Sequence, residues 1–272
     1  MRKNYALAYS AIASLFVVLF SHCAKPPIIL PSPQLYEITQ ITGENAGSET
    51  DTIRITYNSQ HNPIQIAGQH ISTGNPQWLI GYDPQRRIRV LIGAYYDGNP
   101  FFEIAHKYLH DQKNRVATDS VFYFGSYDRP SLTVLSSHYT SVRKFTYDNQ
   151  DRIIDIAERR FVGTNIMEIR STHYFFNSSG NAYKINSIVQ NPDNTVYSSD
   201  EFPSYDDKVN PHQLHPVWQL MDLDYNKNNA FVADSYNKYG LPIHVTASND
   251  KYGGIYFLQN YLKRFEIRYG HK

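Results

Sequence analysis

Apolar and polar residues alternate with a period of two along much of this chain, as they do in strands that bury one face. Ile53, Ile55 and Tyr57 alternate with Thr52, Arg54 and Thr56, and Ile88, Val90 and Ile92 alternate with Arg87, Arg89 and Leu91. The segment from Phe101 to Leu109 fits two patterns. Phe101, Ile104, Ala105, Tyr108 and Leu109 make a helical stripe, whereas Phe102, Ile104, His106 and Tyr108 make a strand face. The phase of its neighbours selects the strand. One stretch, Asn210 to Asn229, breaks the rhythm; Pro216 opens a short helix there, with Val217, Leu220, Met221 and Asp224 at helical spacing.

A seven-residue unit recurs between the strands: an aromatic, an Asx, three turn residues, often Arg or Asn, then Ile, Val or Pro. It reads YNSQHNP from Tyr57, YDPQRRI from Tyr82, HDQKNRV from His110 and YDNQDRI from Tyr147. It continues as FNSSGNA from Phe176, YDDKVNP from Tyr205 and YNKYGLP from Tyr236. The starts lie 25 to 37 residues apart, room for two strands and two connections. The Asx oxygen closes each turn by accepting a backbone N–H two residues on. The fifth position often needs positive φ, which Asn114, Asp151, Gly180 and Gly240 tolerate. Val209 does not, so the turn there must differ. These features predict an all-β fold: a long antiparallel meander of repeated hairpins, curled or barrel-like, with one short helical insert near 211–224.

The N-terminus reads as an address. Arg2 and Lys3 precede an uncharged, mostly apolar run from Ala6 to Phe20, shorter than the roughly 20 residues of a membrane span but suited to a signal peptide. Cys23, the sole cysteine, follows directly. This resembles a bacterial lipoprotein signal, in which the cysteine becomes the lipidated first residue; Ser21 fits its small-residue box and His22 departs from it. Residues 1–22 are thus expected to be a signal peptide. Residues 23–35, with Pro26, Pro27, Pro31 and Pro33, form an extended tether, and 36–272 a single all-β repeat domain. The expected location is the cell envelope, through a lipid anchor in the outer membrane, with the leaflet left open.

The turn units, most clearly YDNQDRI from Tyr147 and FNSSGNA from Phe176, resemble the Tyr-Asp repeats of RHS-type proteins. With the leader and Cys23 added, the whole plan is similar to uncharacterised Bacteroidota lipoproteins carrying Tyr-Asp-like repeats, over roughly residues 50 to 270. That resemblance implies a β-repeat fold and an envelope location. It supplies no catalytic residue.

Charge and chemistry narrow the function classes. With 26 Lys and Arg against 25 Asp and Glu, the chain lacks the basic excess of a nucleic-acid binder. No G-x-S-x-G elbow or phosphate-cradling glycine loop is present, and Gly253-Gly254 reads as a turn. His212 and His215, with Asp222 and Asp224 close behind, have the residue types of a zinc site. Asp222, Asp224, Asn226 and Asn228 begin like a calcium loop, but Lys227 and Ala233 stand where its glycine and final glutamate belong. Loop histidines and a polar turn are the better account, so no metal and no cofactor are expected. Among the 23 tyrosines and two tryptophans, Trp78 and Trp218 lie near irregular segments and are the candidates for stacking on a ligand such as a glycan. The expectation is a non-enzymatic, lipid-anchored envelope protein that binds a glycan or protein partner or serves a structural role. An envelope hydrolase and an integral outer-membrane barrel are the alternatives.

Overall fold

Among the described residues, strings of Ile, Val, Thr, Tyr and Phe, many bounded by Asx turns, form sixteen antiparallel strands of one sheet. The computed structural model describes residues 35–45, 49–96, 98–247 and 254–272. The first eight strands are β1 (Tyr36–Asn45), β2 (Thr50–Tyr57), β3 (Pro63–Ala67), β4 (Gln77–Tyr82), β5 (Ile88–Ala94), β6 (Phe101–His110), β7 (Val116–Asp128) and β8 (Thr133–Tyr147). Next come β9 (Ile153–Val162), β10 (Asn165–Phe176), β11 (Ala182–Gln190) and β12 (Val196–Glu201). After an insert the chain ends in β13 (Ser235–Tyr236), β14 (Pro242–Thr246), β15 (Ile255–Phe257) and β16 (Asn260–His271). The ambiguous segment from Phe101 is a strand, as its phase predicts.

From β1 to β12 each strand pairs with its sequence neighbour. The C-terminal strand departs from that order: β16 lies beside β1, with Tyr36 opposite His271, and carries β14 and then β13 beyond it. The sheet edges are therefore β12 and β13, joined by the insert. The insert holds a 3-10 turn (Pro211–Leu214) and helix α1 (Pro216–Asp222), with Pro216 in its first turn and His215 as N-cap.

Side chains from distant strands converge on this insert, so the sheet curls around it without closing by strand pairing. Trp218 of α1 is fully buried and meets the edge of Tyr57 from β2. From the other end of the sheet, Ala182 of β11 donates its N–H to Asn226 at 2.7 Å. The inner core gathers Ile38, Ile41, Ile66, Ile153 and Leu241 around the insert, each burial contributing roughly 1.5–3 kcal/mol.

A second, outer core explains a departure from simple alternation. Leu91 faces the inner core while Val90, Ile92 and Phe102 pack outward with Tyr127, so β5 is buried on both faces. The cover is the tip of the β7–β8 hairpin, which packs back onto β4 to β6. It is held by Tyr127 N–H donating to the Pro100 carbonyl at 2.8 Å and by Arg89 donating to the Ser131 carbonyl at 2.6 Å. Gly125 permits this approach; a Cβ there would run into the Ser136 carbonyl and the Phe102 ring.

Six of the seven turn units share one geometry. The Asx N–H donates to the carbonyl four residues on, as from Asn58 to Asn62 at 3.0 Å and from Asp111 to Arg115 at 2.8 Å. The fifth residue takes positive φ in each: His61, Arg86, Asn114, Asp151, Gly180 and Gly240. The unit with Val209 is the exception. Asp206 N–H donates instead to Asn229, and Val209 N–H to Gly240.

Candidate binding pocket

The turn units line one end of the sheet as a ladder whose rungs are tyrosine hydroxyls. Tyr82 donates to the Pro63 carbonyl at 2.8 Å, Tyr147 to Val116 at 2.7 Å, and Tyr205 to Ala182 at 2.9 Å. Each acceptor is the first residue after the preceding turn. Tyr269 of β16 repeats the contact with Pro242 at 2.9 Å. Arginines brace the middle of the row. The Nε of Arg87, Arg115 and Arg152 donates to Asp83, Asp111 and Asp148 at 2.8, 2.9 and 2.8 Å. Arg87 and Arg115 also reach Asn114 and Asp151 on the next turn at 2.9 and 2.7 Å. Arg115 and Arg152 lie over the rings of Tyr147 and Phe176. Desolvation would raise the carboxyls of Asp83, Asp111 and Asp148, but bonds from these arginines and from turn N–H groups outweigh it. All three sit below their ordinary values.

The ladder lacks a rung at the third unit and again at the fifth, where Phe176 has no hydroxyl, and Tyr236 of the seventh donates to the Asp206 carboxylate instead. In the third unit His110 occupies the aromatic slot, and the acceptor facing that slot by the same rule is Ile88, first after the turn of Asp83. A histidine has no hydroxyl to bridge the distance. A cavity of about 380 Å³ opens beside it, between the turns and α1, within the size range of small-molecule sites. Ile88, Val116, Val217 and Leu220 supply apolar lining. Arg86, His110, Gln219 and Tyr225 also line it, and among the described residues none of these four side chains makes a hydrogen bond or ion pair.

Most charges along this cavity are paired, and Arg86 is the lining arginine without a carboxylate partner among the described residues. Desolvation lowers the His110 pKa and the Arg87 cation lowers it further, against the opposing pull of Asp83 and Asp111. His215, also in the lining, is pushed down to about 4 by burial, with Lys272 adding to the effect. Burial raises the Tyr225 phenol, keeping it neutral. Arg86, Arg87 and Arg115 line the space, whereas the lining carboxylate Asp151 is bonded to Arg115. Arg86 also sits at φ 65°, a conformation costly for a residue with a long side chain.

Of the side chains singled out in the sequence as candidate ligands, His215 lines this cavity and the others lie elsewhere. Trp78 and Trp218 are 4 % and 0 % exposed, which corrects the expectation that they stack on a ligand. The irregular insert that suggested an exposed Trp218 is itself the filling of the curled sheet. His212 lies between Asn210 at 2.8 Å and Asp222 at 2.6 Å. His215 turns its Nδ1 to the Val217 N–H and caps α1. The calcium-like loop is spent on internal bonds: Asp222 accepts from Leu258 and Gln259, and Asn228 accepts from Asn181. No group of three His, Cys, Asp or Glu converges on a point among the described residues. The buried His106–Asp119 pair, 2.9 Å apart, packs beside Trp78 and Tyr108. Cys23 lies outside the described residues. Arg86, Gln219 and Tyr225 carried no motif; the available signal was the histidine in an aromatic slot and the arginine in a glycine-like one.

No family model and no curated protein sequence matches the chain. Among solved structures, a porin-like protein from Bacteroides vulgatus ATCC 8482 superposes with a TM-score of 0.53 at 12% identity. The match covers 86% of this chain and 98% of that one, and it establishes likeness of fold. A TcdB2-TccC3-Cdc42 structure aligns at TM-score 0.25 and 10% identity, over 85% of this chain and 14% of the other. Among the described residues, no helix is long and apolar enough to cross a membrane.

Proposed function

We propose that this is a non-enzymatic binding protein of the bacterial cell envelope, exported by residues 1–22, lipid-anchored through Cys23, and taking a small ligand in the pocket at His110. The observation that carries this reading is the convergence of four unpartnered polar side chains on an apolar-lined cavity where the tyrosine ladder is interrupted. Arg86 is exposed and His110, Gln219 and Tyr225 are half-buried, so all four are open to a ligand that enters the cavity. The envelope location rests on the leader and on the shared fold of the porin-like Bacteroides protein.

Binding fits the chemistry of the pocket better than hydrolysis does. Its carboxylate is held by Arg115 and His215 is occupied as a helix cap, which leaves His110 without a hydrogen-bonded carboxylate among the described residues to act with as acid and base. An integral barrel fits poorly too. Lys144, Arg159, His173 and Lys184 lie on the outer face of β8 to β11, opposite the inner-facing Phe145, Ile156 and Tyr174. A lipid-facing belt needs an apolar band there and a sheet without edges.

Two experiments test the reading. Radiolabelled palmitate fed to cells should label the full chain and leave the Cys23→Ser variant unlabelled; equal label in both removes the anchor. A fragment screen by ligand-observed NMR on the detergent-solubilised full chain should give hits that vanish with His110→Tyr. Hits unaffected by that variant, or none at all, remove the pocket.

A further inference from the structure

Resting on that pocket reading, we infer that the ligand is a ring-sized organic anion whose carboxylate pairs with Arg86 while its body lies against Val116 and Leu220. Charge sets the sign at one residue: of the three arginines that line the cavity, Arg87 and Arg115 are matched by Asp83, Asp111 and Asp151. The commitments of those arginines single out one of them. Arg87 is bonded to Asp83 and Asn114, and Arg115 to Asp111 and Asp151. Arg86 forms no such pair among the described residues, and its planar guanidinium matches a carboxylate through two parallel bonds.

Backbone strain at the same residue points the same way. Two of the other turns that line the pocket place Asn114 and Asp151 at the positive-φ position, residues that adopt it at little cost, and the first, which lines it through Asn62, places His61 there. The second unit keeps a long cationic side chain there instead, in the turn next to the missing rung at His110. Strain of this kind clusters at ligand sites, and at Arg86 it coincides with an unpaired cation facing the cavity. The rest of the lining limits what the anion can carry. Ile88, Val116, Val217 and Leu220 favour an apolar or ring-shaped body, while Gln219, Tyr225 and His110 offer hydrogen bonds to polar substituents. An aromatic acid and a sugar acid share this chemistry, and a direct comparison separates them.

The test uses matched probes on the detergent-solubilised full chain: benzoate against benzyl alcohol, and galacturonate against galactose. Affinities come from calorimetry, and the His110 ring resonances report whether a probe enters the pocket. At least one carboxylate is expected to bind roughly tenfold or more tighter than its neutral partner, the size of one charge-assisted hydrogen bond. Arg86→Asn, which keeps a residue suited to positive φ, should abolish that preference and leave the neutral probe unchanged. Which acid wins identifies the body of the ligand. Neutral probes that shift His110 as strongly as the acids, or a preference that survives Arg86→Asn, overturn the anion assignment while leaving the pocket standing. Failure of all four probes to shift His110 overturns both.

Discussion

At the scale of single residues, what a side chain does here depends on its partners more than on its type. His212 shows this most clearly. Its Nδ1 faces the Asn210 oxygen, and the Asn210 amide group is oriented by donating to Asp224 and Asn226. Its Nε2 faces Asp222. Both ring nitrogens therefore meet acceptors, which suits the doubly protonated imidazolium. Burial beside Phe257 opposes the charge, but the bond to Asp222 and the negative charges of Asp224 and Asp222 outweigh it, and the pKa is raised above 6.5. A histidine raised on folding stabilises the fold fully below its unfolded value, and the contribution disappears as pH rises through the folded one. Urea unfolding from pH 6 upward should thus show a loss of stability in the native chain that is absent in His212→Gln. A parallel decline in both would assign the effect to other groups. In the sequence, His212 and His215 looked alike as metal ligands. Nothing in a spacing of three distinguishes an ion-paired histidine from a helix cap, because their partners Asp222, Asn210 and Val217 are chosen by the fold.

At the scale of elements, the heptapeptides were legible because turn chemistry is local. Asx closure, positive φ at the fifth position and the exception at Val209 all follow from a few adjacent residues. The tyrosine rung is less local, since it joins a turn to the preceding one across a hairpin, as from Tyr147 to Val116. Removing the hydroxyl with Tyr147→Phe keeps the platform under Arg115 and should cost about 1 kcal/mol, measured by chemical denaturation; no loss would mean that the rungs carry no energy. The folded-back β7–β8 tip was not legible, because its signal is a steric one at Gly125 rather than a pattern. Gly125→Ala should lift the tip from Phe102, cost about 2–3 kcal/mol, and expose the segment around Ser131 to protease. A variant as protease-resistant as the native chain would contradict that packing.

At the scale of the whole molecule, the meander was readable from repeat phase, but two features were not. The pairing of β16 with β1 joins residues more than 200 positions apart, and no local rule announces it. The burial of Trp218 likewise depends on the sheet curling around its own insert. The same curvature brings α1 over the third turn, so that a histidine in an aromatic slot becomes the wall of a cavity. The most direct measurement of that relation is the thermal unfolding of His110→Tyr. If the cavity exists because the rung at His110 is missing, tyrosine supplies the bond to Ile88, narrows the space and adds about 1 kcal/mol, which raises the melting temperature by roughly 2–4 °C in a domain of this size. A lower melting temperature would mean that the site is packed around histidine, and that the pocket is not a gap in the ladder.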